Sequence, residues 1–259
     1  MKAIRYWLPL LALNVWTTTP EAQTIVEKAN QAAYYAGEDG RAEVSMVITD
    51  AKGHRREREF VILRKNVGEG DQKFYVYFKK PADVHKMAFL VWKNSGPDQE
   101  DDRWLWLPAL NLARRIAPGD KRAAFAGSDF VYEDVSGRSL KADDHELIET
   151  GESSYVIKST PKPGEKVDFA YYRTWIDRAT FLPLKSEYVD DRGQVIRRIE
   201  ADRVEPIDGH PTVMNSRVFD LVTGSVTELS FSKVQYNLGL KEHLFSERFL
   251  RRPPPEVLR

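Results

Sequence analysis

The sequence predicts a mainly β chain. It reads as a single strongly curved antiparallel sheet forming a half-open barrel, with an N-terminal helix and a short C-terminal helix covering the concave side. Three observations carry this. About a dozen segments in succession alternate apolar and polar residues with period two. Short polar turns separate them, with no strand–helix–strand rhythm. No shift in composition divides the 259 residues into domains. A sheet that long must curl or close to hide its edges.

Taken in order, the chain opens with a segment that reads as a secretory leader. Lys2 and Arg5 form its charged start, Tyr6 to Trp16 its apolar middle, and Pro20-Glu21-Ala22 an exit with cleavage near Ala22. No cysteine follows, so the protein is not expected to be a lipoprotein itself. No later apolar run reaches the ~18 residues of a membrane-spanning helix. Residues 24–35 follow with Ile25, Ala29, Ala32 and Ala33 near helical spacing. Thr24 is placed to cap this helix with Glu27 three residues on, and Gly37 and Gly40 end it.

From Ala42 the period changes to two. Ala42, Val44, Met46 and Ile48 share one face, and Ala51-Lys52-Gly53 turns the chain. Arg55 to Arg64 makes the next strand, Gly68 to Asp71 a turn, and Phe74, Val76 and Phe78 alternate with Tyr75 and Tyr77. Met87 to Trp92 and Trp104 to Leu107 flank an acidic turn, Asp98 to Asp102, and Asn111 to Ile116 follows. Gly119 to Asp134 lacks a regular pattern and reads as a long packing or functional loop. The second half repeats the theme, with strands expected at 144–149, 154–159, 167–176, 183–189, 195–204, 211–219 and 225–234. Residues 242–250 suit a short helix, which Pro253-Pro254-Pro255 forbids from continuing.

Composition narrows the function. Lysine and arginine number 39, as do aspartate and glutamate, so no net field favours nucleic acid or an anionic membrane. With no cysteine there is no thiol nucleophile and no cysteine-type zinc site. The five histidines, His54, His85, His145, His210 and His243, are scattered without metal-ligand spacing. No metal and no cofactor is expected. Nucleotide-binding and serine-hydrolase signatures are absent. The nearest thing to a catalytic cluster is Asp129, Glu133 and Asp134 with Arg114 and Arg115. That set reads better as a charged network pinning a loop to the barrel rim.

Pro81 to Arg138 is the richest stretch. It holds the apolar strand Met87-Ala88-Phe89-Leu90-Val91-Trp92, then Trp104-Leu105-Trp106-Leu107-Pro108-Ala109-Leu110, the Arg114-Arg115 pair, and Gly127-Ser128-Asp129-Phe130 followed by Glu133-Asp134. These features resemble the LolA-like outer-membrane lipoprotein-sorting family. The resemblance implies the same half-open barrel over residues 23–259 after a leader of residues 1–22. It gives Arg114, Arg115, Asp129, Phe130, Glu133 and Asp134 a structural or partner-binding role.

Both faces of several strands carry large side chains, and two helices supply little material to plug a wide concave surface. An apolar cavity follows. Met46, Ile48, Phe60, Ile62, Phe74, Val76, Phe78, Phe89, Val91, Trp104 and Trp106 are the candidate lining. Acyl chains gain ~0.8 kcal/mol per buried methylene, so one chain binds reversibly. The function implied by the resemblance is a non-enzymatic periplasmic carrier, and a monomer is the favoured state. It would hold acyl chains of lipoproteins or lipids and pass them from an inner-membrane transporter of the ABC or RND type to an outer-membrane acceptor. The alternatives are an envelope-stress or lipid sensor engaging a membrane regulator, and a hydrolase using Asp129, Glu133 or Asp134.

Overall fold

The computed structural model describes residues 20–96 and 99–258. The expected leader up to residue 19 lies outside the described residues, as does Asp98 of the acidic turn. The expected leader exit falls on the first turn of helix α1 (Pro20–Tyr34), where Ala22 is fully buried.

Among the described residues, thirteen strands form one antiparallel sheet. The first six are β1 (Asp39–Thr49), β2 (Arg55–Asn66), β3 (Gln72–Lys80), β4 (Ala88–Lys93), β5 (Asp102–Leu107) and β6 (Leu112–Ile116). After a long connection holding helix α2 (Tyr132–Ser136) come β7 (Asp143–Thr150), β8 (Ser154–Pro161), β9 (Tyr171–Asp177), β10 (Pro183–Val189), β11 (Val195–Ile207), β12 (His210–Asp220) and β13 (Ser225–Tyr236). Each half is a meander of neighbouring strands, and the halves join where β1 pairs with β13. The outermost strands, β6 and β7, do not pair, so the sheet is open.

The predicted strands are present, with shifts that have local causes. Helix α1 begins earlier than residue 24, because Ala22 and Ile25 pack with Ile157 and Ile176. Residues 167–170 are irregular, and β9 starts at Tyr171. The terminal helix is broken into a turn at Glu242–Leu244, α3 (Arg248–Arg251) and α4 (Pro255–Leu258). Pro255 opens α4, at a position where its missing N–H costs nothing.

Period two divides the N-terminal strands into two apolar faces. The inner face, which carries α1, presents Val44, Met46, Ile48, Phe60, Phe74, Val76, Phe78, Phe89, Val91 and Leu105. The outer face presents Val61, Leu63, Tyr75, Tyr77, Ala88, Leu90, Trp104 and Trp106. Leu240, Leu244, Phe245, Leu250 and Val257 cover that outer face. The C-terminal helices therefore lie opposite α1, not beside it on the concave side as expected. The outer face of β2–β5 is too greasy to meet water, and the C-terminal segment is what shields it. Trp92 Nε1 donates to Phe245 O at 2.7 Å and Tyr75 Oη to Phe249 O at 2.7 Å, fixing the segment in register. At its root, the Asp39 carboxylate accepts from the Leu238 and Leu240 amides, each at 2.7 Å.

Candidate functional site: a hollow between α1 and the sheet

The connection from β6 to β7 folds over the inner face. Phe125 enters a ring cluster with Phe78 at 5.7 Å, Phe89 at 5.4 Å and Tyr132 at 6.0 Å between centroids. This plugs one end of the concave surface. The rest stays open beneath α1.

Two adjoining chambers make up the open part. The first, about 320 Å³, is mostly apolar. Met46, Phe60, Ile62, Phe74 and Val76 form its floor, with Leu229 and Phe231 from β13 and Ala32, Ala33 and Tyr34 from α1. The second, about 280 Å³, lies against β7–β12 and is lined by Tyr172, Thr174, Ser186 and Tyr188 among others. Ala33, Tyr34, Phe130, Asp134, Pro183 and Ser216 line both.

The loop motif is tied down at each carboxylate. Asp129 Oδ2 accepts from Thr227 Oγ1 at 2.6 Å, Oδ1 accepts from Ser225 Oγ, and the Asp129 amide donates to Thr227 Oγ1 at 3.0 Å. Asp134 pairs with Arg197, which also donates to Asp129 O at 3.1 Å. Burial works against the Arg197 charge, but the Asp134 carboxylate overcomes it and holds its pKa above the usual value. Glu133 accepts from Arg138 Nη1 at 3.2 Å, and Arg138 Nη2 also donates to Asp143 at 2.7 Å. Burial raises the Glu133 pKa despite the Arg138 charge beside it. Asp134 Oδ2 takes the Val131 amide at 2.7 Å and so starts α2.

The structure thus keeps the predicted carboxylates and replaces their predicted partners. Arg114 and Arg115 are exposed on edge strand β6, beside Asp120 and Asp102. They do not meet Asp129, Glu133 or Asp134. The arginines that do are Arg122 and Arg138, which belong to the same stretch, and Arg197, which lies 63 positions from Asp134 along the chain. With all three carboxylates engaged by hydroxyls or guanidinium groups, the cluster serves as a tether.

Of the expected lining, Met46, Phe60, Ile62, Phe74 and Val76 reach the apolar chamber. Ile48, Phe78, Phe89 and Val91 share the inner face but are packed into the core around Phe125. Trp104 and Trp106 are on the outer face under the C-terminal segment. The register explains this: Phe89 sits opposite Leu105, and Leu90 opposite Trp104, so Leu105 is the inward residue of β5. Phe130 lines both chambers, as a member of the hollow as well as of the loop motif. Sequence reasoning missed Leu229 and Phe231, which the alternation of β13 could have supplied. It also missed the tyrosines of β9 and β10, whose mixed polarity gave no sign of facing a hollow.

An open curled sheet with one helix across its concave face is a LolA-like fold. Residues 70–252 match a family model described as "Uncharacterized protein", and the chain belongs to that family. Among solved structures it is similar to a DUF1329 family protein from Desulfovibrio piger, with 29% identity, a TM-score of 0.82, and coverage of 90% of this chain and 99% of that one. It is also similar to a structure described as an outer membrane lipoprotein-sorting protein domain from Vibrio parahaemolyticus. That pair shares 25% identity and a TM-score of 0.81, again with 90% and 99% coverage. A LolA superfamily protein from Nitrosomonas europaea shares the fold at 18% identity, with a TM-score of 0.67 and coverage of 88% and 98%. Comparison with curated proteins gave no match.

Proposed function

We propose that this protein is a carrier of the bacterial envelope that binds acyl chains in the apolar chamber beneath α1 and transfers them between membranes without a catalytic step. The observation that carries this reading is a chamber of about 320 Å³ floored by Met46, Phe60, Ile62, Phe74 and Val76 and left unfilled by the protein's own side chains. Apolar surface of that kind gains about 25 cal/mol per Å² when hydrocarbon covers it. The similarity to a lipoprotein-sorting domain supports the same reading. Acyl chains of a lipoprotein or a lipid are the cargo. The donor is an inner-membrane transporter of the ABC or RND type and the acceptor an outer-membrane protein. Residues 1–22 act as the leader that exports the chain to the periplasm, and the carrier works as a monomer.

The test is to purify the protein from the envelope and analyse its organic extract by mass spectrometry, with a fluorescent acyl probe titrated into the delipidated protein. A co-purifying acyl compound and saturable probe binding are expected. An empty extract together with no probe binding overturns the reading.

A further inference from the structure

The second chamber has a chemistry of its own. On β7 to β11 the inner face carries His145, Ser159, Tyr172, Tyr188 and Arg197 in cross-strand succession. One step along lies Ile157, Thr174, Ser186 and Ile199. This half of the concave face is therefore a field of hydroxyls, where the other half is phenylalanine and valine. The two fields meet at Tyr34 and Phe130.

Its charges are already matched. Glu133 is neutralised by Arg138, and Asp134 by Arg197. His145 Nε2 donates to Leu140 O at 3.0 Å and Nδ1 accepts from Ser159 at 2.8 Å, and burial lowers its pKa. It is a neutral imidazole. The tyrosines differ among themselves. Tyr172 donates to Asp143 at 2.8 Å. Among the described residues, the Tyr34 and Tyr188 hydroxyls have no hydrogen-bond partner in the protein, though both residues line the chamber. Burial raises both pKa values, so each hydroxyl stays protonated at any physiological pH. Facing the chamber, each hydroxyl is left open to bond a ligand atom in place of water.

We infer that the hollow takes a single-tailed amphiphile with an uncharged, hydroxyl-bearing head, the tail lying over Met46, Phe74 and Val76 and the head bonded to Tyr34 and Tyr188. This deepens the carrier reading and rests on it. The volumes set the scale. Together the chambers fall in the range of about 300–1,000 Å³ that holds one small ligand, and the apolar one has the volume of ~10 waters, about one medium acyl chain. Among the described residues at the polar chamber, Arg138, Arg197 and Lys185 are each already paired with a carboxylate, so a phosphate or carboxylate head entering it finds no free counter-charge and keeps a desolvated charge. An uncharged polyol head meets donors and acceptors.

The experiment compares three probes sharing one twelve-carbon tail, 1-lauroylglycerol, laurate and lauryl phosphate, by calorimetry on the delipidated full chain. The glycerol ester is expected to bind at least about tenfold tighter than either anion. Tyr188→Phe and Tyr34→Phe are each expected to weaken the glycerol ester about tenfold, the value of one hydrogen bond to a sheltered group, and to leave laurate within about twofold. Thermal melts verify that each variant folds, and either variant suffices if the other does not fold. Equal or tighter binding of the anions, or equal loss for all three probes in a folded variant, overturns the head assignment while leaving the carrier reading intact. Failure of all three probes to bind the wild type overturns both.

Discussion

Asp129 and Thr227 are bonded twice across 98 positions of chain. The carboxylate accepts from the Thr227 hydroxyl at 2.6 Å and the Asp129 amide donates to it at 3.0 Å. Thr227 is fully buried on β13, so this pair anchors the long connection to the strand that joins the two halves of the sheet. Thr227→Val keeps the shape and strips both bonds from a carboxylate and an amide held away from water. Urea unfolding should show a loss of about 2–3 kcal/mol. Ser225→Ala, which leaves the Thr227 contacts in place, should cost about 1 kcal/mol. A Thr227→Val protein as stable as the wild type would mean that Ser225, Arg197 and the Phe125 packing hold the loop without Thr227.

Ala33 lines both chambers from α1. Ala33→Trp puts a large ring into the hollow from a helix position that is not buried in the core. Acyl-probe affinity should fall at least about tenfold, as expected when roughly 1.4 kcal/mol or more of burial is denied to the ligand, while the melting temperature stays close to that of the wild type. Undiminished probe binding in the folded variant would place the hydrocarbon elsewhere.

The outer face depends on the C-terminal segment. Phe245 is 1% exposed beneath it, and its carbonyl holds the Trp92 indole. Phe245→Ala should cost about 3–5 kcal/mol. It should also raise binding of a hydrophobic dye, because Tyr75, Leu90 and Trp104 lose their cover. Trp92→Phe removes that hydrogen bond and trims the ring packed on Trp104, and should cost less, about 1–2 kcal/mol. Chemical unfolding of the two variants side by side checks the order.

Lys93 gives a pH signature. Its side chain is buried on the inner face, with Nζ donating to Ser136 O at 2.6 Å, and burial lowers its pKa to about 8. Below pH 8 the lysine is charged both folded and unfolded, and the folded state carries the cost of the buried charge. Between pH 8 and the unfolded value near 10.5, the unfolded chain keeps a proton that the folded chain has released. Stability attributable to Lys93 must therefore rise with pH across that window. Measured against Lys93→Met, wild-type stability should improve by roughly 2–3 kcal/mol from pH 7 to pH 10.5. A flat difference would show that the ammonium is better solvated than its surroundings imply.

Much of the fold was legible because strand alternation is a local property. Val44, Met46 and Ile48, or Phe74, Val76 and Phe78, declare a shared face wherever the strand ends up. The limits were equally physical. Alternation gives Trp104 and Trp106 a shared face without saying which one, and it is the pairing of β5 with β4 that turns that face outward. The carboxylates of the loop motif could be picked out locally, but Arg197 and Thr227 approach them only once β11 and β13 have paired into the sheet, and nothing near residue 130 announces them. The polar chamber was hidden for a related reason. Tyr172 and Tyr188 become a stacked pair at 5.2 Å only once β9 and β10 align.

The seam between β1 and β13 has a further consequence. It unites the earliest strand of the sheet with the latest, as the pairing of Val44 with Phe231 shows. Contacts so distant along the chain are slow to form, because a large loop must close before they return any energy. A nascent or translocating chain can complete β1 to β6, yet it presents a bare strand edge until its final strand emerges. During that interval it has affinity for any passing strand. The hollow, whose walls come from both meanders, comes into being only at that last zipping. Half-made molecules thus lack the hollow altogether, and delivery of the C-terminal quarter sets the moment at which it can exist.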